Sequence, residues 1–451
     1  MRKSRNRLVS LLKFFPVFRG AHARSRPTAW CDACVALMLV SALASVTARA
    51  ESPDERAARA ATITTVNNQR VLRLRGESMG ERGFAVGYLF ANEMIAELET
   101  AIQSLPGVTV KLYNTDFLPW SKKNFAWDAD AKEELDGLYA GMLARVGQDG
   151  MKSKVIGRVL TRDDLVGINT LADYFGPACS AFAAWGDRTA DGKVIHGRTL
   201  DFPIGADDVA LQVLIVADSL PARGPDHPAR RAYMAIGWPG MITQYTGMNA
   251  DGLVACIHDG YNVRGKAWHA DPKSNAAGFI PRGLLLRRIL ESVDPNAGDP
   301  AEAAAKLVAA GPTACGNLFH LTWSSESAKK SNTKPSAVLE FDPTDRAPLI
   351  RRPDDPTSLV LTNHFCVLNK ARECERFSHI SDGLGKLAQA NVKIGISEAR
   401  KLLKSAEQPV AAHSAYFFPD SLEFYVALSR RNIMSPSVAP TKFSLKELFE
   451  K

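Results

Sequence analysis

Residues 179–201 read CSAFAAWGDRTADGKVIHGRTLD. Two apolar runs flank a turn containing Asp191-Gly192, a pair suited to the tight turn of a β-hairpin. Gly176, Pro177 and Ala178, small or turn-forming residues, stand immediately before it. The chain therefore turns and then enters a strand at Cys179. The returning strand carries Arg198 and Asp201, which hairpin geometry brings back beside the start of the first strand. Taken alone, Cys179 reads as core, because free cysteine is among the most buried residue types. A guanidinium within reach changes that reading, since a nearby cation favours the thiolate below its free pKa of roughly 8.5. A plain cross-strand ion pair between Arg198 and Asp201 is the competing account.

On the N-terminal side, residues 83–104, 130–146 and 162–174 place apolar residues at helical spacing, and Asp163 and Asp164 suit a helix's first turn. Residues 51–178 thus read as mainly helical. On the C-terminal side, strand-like runs follow at 210–217, 231–237, 241–247, 253–258, 318–323, 337–341 and 358–363. Helices are expected over 281–293 and 300–310, and the tail from 396 reads as a helix and a further strand. Helices and strands in separate blocks predict an α+β layered fold, not alternating βαβ units.

Three more segments join the hairpin: Gly247-Met248-Asn249-Ala250-Asp251-Gly252-Leu253, Thr362-Asn363-His364-Phe365, and Arg376, thirteen residues after Asn363. In order and spacing these blocks resemble the cysteine N-terminal-nucleophile (Ntn) hydrolases. That group holds choloylglycine hydrolase, penicillin V acylase, acid ceramidase and the acyl-CoA:6-aminopenicillanic acid acyltransferase family. The resemblance covers essentially all of 179–376. It implies a four-layer αββα sandwich with 51–178 as a helical pro-segment, cut from a catalytic region 179–451 between Ala178 and Cys179.

It also implies roles. Cys179 would attack the Ala178 carbonyl, and hydrolysis of the thioester would free an α-amine, so that one residue supplies nucleophile and base. Asn363 would donate to the developing oxyanion. Asp201 would bind the amine, Arg198 would support the thiolate or substrate carbonyl, and Arg376 would bind substrate or shape the pocket. The two fragments would stay associated, no cofactor or metal is required, and the substrate would be a small N-acyl amide. One departure stands out: choloylglycine hydrolases place an asparagine ten positions after the residue matching Asn249, where this chain has Asp259. A carboxylate has no N–H to donate, so Asp259 is left out of the catalytic set.

The chain of 451 residues has a formal charge of +8. Residues 1–50 hold nine Lys/Arg and one acid, which accounts for all of it. The remainder balances to zero, which argues against a nucleic-acid partner. A basic leader, the apolar run 33–46 and Ala48-Arg49-Ala50 read as an export signal cut near Ala50, giving a periplasmic or secreted protein. The run is too short for a comfortable membrane span, so no stable anchor is expected. Cys31 and Cys34 fall within the signal. Cys179, Cys256, Cys315, Cys366 and Cys374 remain, an odd number that leaves at least one thiol outside any pairing, expected to be Cys179.

GDRTADGK (186–193) misses the phosphate-loop spacing and lacks its hydroxyl residue. His196, His258 and His364 read as structural strand histidines in preference to a metal site. Trp185, Trp238, Tyr245 and Phe365 are candidates to line an acyl pocket, or else to pack in the core. Two functional alternatives stay open: transfer of the acyl group to an amine, and an inactive periplasmic scaffold. A homo-oligomer is compatible with all of them.

Overall fold

A computed structural model describes residues 51–450 apart from 106, 175, 177, 203–208, 261–277, 344–346, 369–373 and 431. The expected export signal and Pro177 lie outside the described residues. In chain order the strands are β1 (Ala61–Val66), β2 (Gln69–Leu74), β3 (Ala178–Ala184), β4 (Ile195–Asp201), β5 (Val213–Ala217), β6 (Tyr233–Gly237), β7 (Thr246–Asn249), β8 (Val254–Asp259), β9 (Asn317–Thr322), β10 (Ser336–Phe341), β11 (Leu349–Arg351), β12 (Ser358–Leu361), β13 (Ala411–Phe418), β14 (Glu423–Leu428) and β15 (Thr441–Ser444). They form a nine-stranded sheet ordered β1-β2-β5-β6-β7-β8-β9-β10-β11 and a six-stranded sheet ordered β12-β3-β4-β13-β14-β15. Every pairing is antiparallel except β2 with β5.

Side-chain alternation along the strands explains the layers. Leu214 and Val216, Met234 and Ile236, and Val254 and Cys256 of the larger sheet pack against Ala415, Phe417, Phe424 and Val426 of the smaller. The intervening residues Ile215, Ala235, Ala255 and Ile257 point the other way, into helices that include Met79–Ser104 and Arg282–Ser292. On the far side of the smaller sheet, Phe182, Ile195 and Tyr416 pack on helices Glu375–Gln389 and Ile396–Lys404 through Ile380, Leu384, Leu402 and Leu403. The order is therefore helix, sheet, sheet, helix, the α+β sandwich expected. From Ser52 onward the chain is one compact unit, and none of the described helices is long and apolar enough to cross a membrane.

The 51–178 segment holds more than helices. β1 and β2 form a hairpin whose two turn residues, Asn67 and Asn68, have φ of 50° and 64°. Asparagine tolerates this left-handed region, and a two-residue turn of this kind requires it. Through β2 the segment adds an edge to the nine-stranded sheet, so it is built into the sandwich.

Helices Met79–Ser104 and Ala129–Gly150 pack backbone to backbone. A Cβ placed on Gly87 would lie 2.1 Å from the Leu138 carbonyl oxygen, and one on Gly141 would lie 2.1 Å from that of Phe84. These glycines allow the close approach, because a carbonyl in a packed helix cannot move aside. Gly141→Ala should therefore destabilise the protein by about 1–3 kcal/mol through overpacking. Gly385→Ala, in a helix with nothing within 4 Å of the new methyl, should stabilise it by roughly 0.5–1 kcal/mol. Denaturant titration of the two variants checks the opposite signs.

Candidate active site

The register of the smaller sheet assembles the site. β12 pairs with β3 so that Leu361 faces Ala181, and continuing that ladder two residues brings Asn363 beside Cys179. The Cys179 backbone N–H donates to Asn363 Oδ1 at 2.8 Å. On the other flank β4 faces β3, with Asp201 opposite Ala178 and Leu200 opposite Cys179. The β4–β13 ladder shifts register between Ala411 and His413, opposite Asp201 and Leu200, an irregularity of the kind that re-aims side chains. Arg376 comes from the first turn of the Glu375–Gln389 helix.

These five residues meet around one backbone unit. Arg198 Nη2 donates to Cys179 Sγ at 2.8 Å and to the Ile257 carbonyl at 3.0 Å, while Nη1 reaches the Tyr245 carbonyl and the Thr246 hydroxyl. Arg376 Nη1 donates to the Cys179 carbonyl at 2.6 Å, to Ser180 Oγ at 3.1 Å and to Asp201 Oδ2 at 3.5 Å; Nη2 donates to Asn363 Oδ1 at 2.7 Å. Two donors converge on Asn363 Oδ1, which identifies the oxygen end of that amide. Its Nδ2 donates to the Asp259 carbonyl at 3.0 Å. The N–H, carbonyl and sulfur of Cys179 are thus each held by a different side chain.

Burial sets the electrostatics. Cys179, Arg198, Asp201 and Asn363 are all at most 1% exposed. Burial pushes the Cys179 thiol up to about 11, with Arg198 pulling the other way. The sequence reading expected the guanidinium to favour thiolate; the contact is present, but desolvation outweighs it in this uncut chain. Burial likewise raises Asp201 to about 7, against the pull of Arg376 and Arg198. His196 is held down near 3, and His258 and His413 well below the usual range, by burial and then by the Arg198 charge.

Asp259 has a role of its own. Its carboxylate forms a buried ion pair with Arg282, and its oxygens pack so tightly on Gly176 that a Cβ there would overlap them at 1.5 Å. Arg282 also bonds the Ala172 carbonyl, and its backbone N–H donates to Asp173 Oδ1 at 3.0 Å. Asp259 and Arg282 therefore brace the chain just ahead of Cys179. Arg282 was missed in the sequence, where the signal was a run of charges (Arg282, Arg287, Arg288, Glu291) inside an otherwise apolar helix. Such charges are buried only when paired.

The aromatic candidates separate. Trp238 lines a pocket with Glu97 and the apolar Ile168, Leu171, Ala172, Phe202 and Met241. Tyr245 is buried and offers its carbonyl to Arg198. Phe365 packs against Gly260 and Gly316. Trp185 sits past the opposite end of β3, its indole N–H donating to the Pro356 carbonyl at 3.0 Å. The histidines separate too: the His196 ring is 4.3 Å from that of His320, and His258 is 6.5 Å from His320, while His364 bonds Thr362. Among the described residues Asp130, Glu133 and His227 bring three metal-type ligands together, but Arg223 and Arg230 already pair with that group.

The family model for acyl-coenzyme A:6-aminopenicillanic acid acyl-transferase matches residues 188–423, a span that starts after Cys179 and includes Arg198, Asp201, Asn363 and Arg376. No curated protein matches the sequence. Among solved structures, similar ones include an N-acylethanolamine-hydrolyzing acid amidase ortholog from Caenorhabditis elegans (14% identity, 54% of this chain and 93% of that one, TM-score 0.38). A mutant of conjugated bile acid hydrolase from Clostridium perfringens has 11% identity over 60% of this chain and 93% of that one (TM-score 0.38). Penicillin V acylase from Agrobacterium tumefaciens has 14% identity over 59% and 85% (TM-score 0.35).

Because Asp201 is raised to about 7 from an unfolded value near 4, the folded uncut chain binds that proton more tightly than the unfolded one. Stability from this group therefore falls as pH rises from about 4 to about 7 and is flat above. In a Cys179→Ala background, Asp201→Asn should raise the denaturation midpoint more at pH 8 than at pH 5. An equal gain at both, or a loss at pH 8, overturns the assignment.

Proposed function

Because the chain belongs to the acyl-coenzyme A:6-aminopenicillanic acid acyl-transferase family, we propose that it is a self-processing amidohydrolase with Cys179 as nucleophile. The observation that carries this reading is the separate clamping of the Cys179 N–H, carbonyl and sulfur by Asn363, Arg376 and Arg198. Such preorganisation suits a residue that must serve twice, first in cutting its own chain and then in turnover.

In the first stage the thiol adds to the Ala178 carbonyl, the amide shifts to a thioester, and water releases the 51–178 segment. Asp201, with a value of about 7 beside the thiol, is suited to take its proton. Turnover then uses the freed α-amine, whose reference pKa is about 7.7–8.0, as base. The thiol attacks the carbonyl of an N-acyl amide, the amine leaves carrying a proton, and water hydrolyses the acyl thioester. The pocket beside Phe202, whose wall holds Trp238, Met241 and Leu171 along with Glu97, supports a small substrate with a largely apolar acyl chain. Parallel pairing of β2 with β5, together with the ion pairs Arg287–Glu134 and Arg288–Asp128, supports fragments that remain associated. Residues 1–50 complete the reading as an export signal.

The family description favours one second reading, in which an amine takes the acyl group instead of water. The thioester is common to both, so adding an amine acceptor and following N-acyl product against free acid separates them.

Intact mass and N-terminal sequencing should find wild type divided between Ala178 and Cys179, and Cys179→Ala whole. A folded wild-type chain that stays uncut sinks the proposal. In processed protein, Asn363→Ala should lower turnover of an N-acyl amide by about 10²–10³, measured as acid release.

A further inference from the structure

Strand β8 meets the Ala178–Cys179 peptide unit at three points. The Ile257 carbonyl accepts from Cys179 Sγ at 3.4 Å. Two residues on, the Asp259 carbonyl accepts from Asn363 Nδ2 at 3.0 Å, and Asn363 Oδ1 accepts from the Cys179 N–H at 2.8 Å. That N–H belongs to the Ala178–Cys179 peptide bond. The Asp259 carboxylate meets the acyl side of the same bond, resting on Gly176, two positions before Ala178. Its ion-pair partner Arg282 bonds the Ala172 carbonyl and, through its backbone N–H, Asp173 Oδ1 at 3.0 Å. Asn317, opposite Asp259 on β9, offers Oδ1 to Arg282 Nη1 at 3.4 Å, while its own amide donates to Thr313 and to the Cys315 carbonyl. Asp173, Asp259, Arg282 and Asn317 are all at most 1% exposed.

Resting on the self-processing reading above, we propose that Asp259 and Arg282 are positioning residues for the cut. They hold Ala172, Asp173 and Gly176 on one side of the bond and, through Asn363, the amide on the other. In the step they serve, the Cys179 sulfur bonds to the Ala178 carbonyl carbon and the C–N bond to Cys179 breaks. The nitrogen leaves as an amine, having gained the proton that the thiol gave up. The pair itself forms no bond and moves no proton; it sets where the carbonyl stands when the sulfur arrives.

Stability alone does not account for this pair. A buried ion pair is often no better for stability than apolar side chains of similar volume. What apolar side chains cannot do is bond the chain at several chosen places, as the Arg282 fork and backbone do at Ala172 and Asp173. Gly176 completes the fit: without a side chain it rests on the carboxylate, where a Cβ would overlap Oδ2 at 1.5 Å. The sulfur is fixed independently by Arg198 Nη2 at 2.8 Å and by the Ile257 carbonyl. Both reacting atoms are therefore placed from β8 and its partners. A misplacement of roughly 1 Å costs such a reaction up to about 10² in rate.

The test follows the cut in time, by pulse and chase of the full chain in cell-free synthesis. The double variant Asp259→Leu/Arg282→Met replaces the pair by apolar side chains. Made in a Cys179→Ala chain, it should keep the parent's denaturation midpoint; made with Cys179 intact, it should cut about 10- to 100-fold more slowly. Arg282→Lys keeps the charge but loses the fork, and should be slowed as well. Hydroxylamine, which cleaves a thioester once formed, should not restore the rate, because the pair acts before the thioester exists. A folded double variant that cuts at the parental rate overturns the proposal, and so does rescue by hydroxylamine. Where the double variant fails to fold, Arg282→Lys decides by the same two readings. An uncut wild type removes the self-processing reading itself; a cut wild type with equally fast variants removes only this inference.

Discussion

The structure turns on a cation with no exposed surface. Arg198 is buried completely between the two sheets, and its guanidinium is met by two backbone carbonyls, a hydroxyl and the Cys179 sulfur. Moving such a charge out of water is costly unless its N–H groups are satisfied. The two Nη groups, though not Nε, are satisfied here, and from both sheets: β4 carries the arginine, while the carbonyls of Tyr245 and Ile257 belong to or flank β7 and β8. The arginine therefore fixes the sandwich and Cys179 together. It also explains why the space between the sheets changes character along its length. Away from the site it is filled by Met234, Met248, Phe417 and Phe424. Around Arg198 it is filled by His196, His258, His413 and Thr246, with the imidazoles held neutral.

A second constraint comes from the outer face of the larger sheet. Ile215, Ala235, Ala255 and Ile257 are apolar and need a cover, and helices of the 51–178 segment help supply it. The charged groups follow the same logic. Arg287 and Arg288 sit on a helix that is buried almost all round, and their counter-charges Glu134 and Asp128 come from the N-terminal segment. Removing that segment would expose apolar surface and leave two buried arginines with the single carboxylate of Glu291 between them. A cut at its end is tolerable because it breaks one peptide bond and leaves both sets of contacts in place.

Much of this was legible in the chain, for identifiable reasons. The hairpin 179–201 declared itself through alternation and Asp191-Gly192, and the long helices through 3.6-residue spacing. Asn363 and Arg376 were found by spacing and likeness, although the β12 register that brings Asn363 to Cys179 joins residues 184 positions apart. Other parts had weaker local signals. β1 is threonine-rich and largely exposed, β2 carries Arg70 and Arg73, and the two meet at Asn-Asn, so they blended into a helical block. The Glu375–Gln389 helix begins with polar residues and buries little, which left it unread. Thr246–Asn249 was expected several residues early, because the apolar run before it packs as irregular chain. Asp259 looked like a defective donor until its partner Arg282 was visible across the fold.

The same burial that builds the site also withholds it. Desolvation disfavours charge of either sign, so in the uncut chain it keeps the thiol protonated, raises the Asp201 carboxyl toward neutrality and silences the nearby imidazoles. On the proposed mechanism, Arg198 and Arg376 would stabilise groups in which negative charge develops only as the reaction proceeds. On the proposed cut, an α-amine appears beside Asp201 and Cys179 with a reference pKa close to neutral pH. An ammonium there would draw Asp201 back toward its ionised form and would favour the thiolate, reversing both shifts with a single new charge. The pre-cut and post-cut sites therefore need no change of fold to differ in reactivity. On that proposal, processing would change the charge at a site whose surroundings Arg198, Arg376 and Asn363 already set.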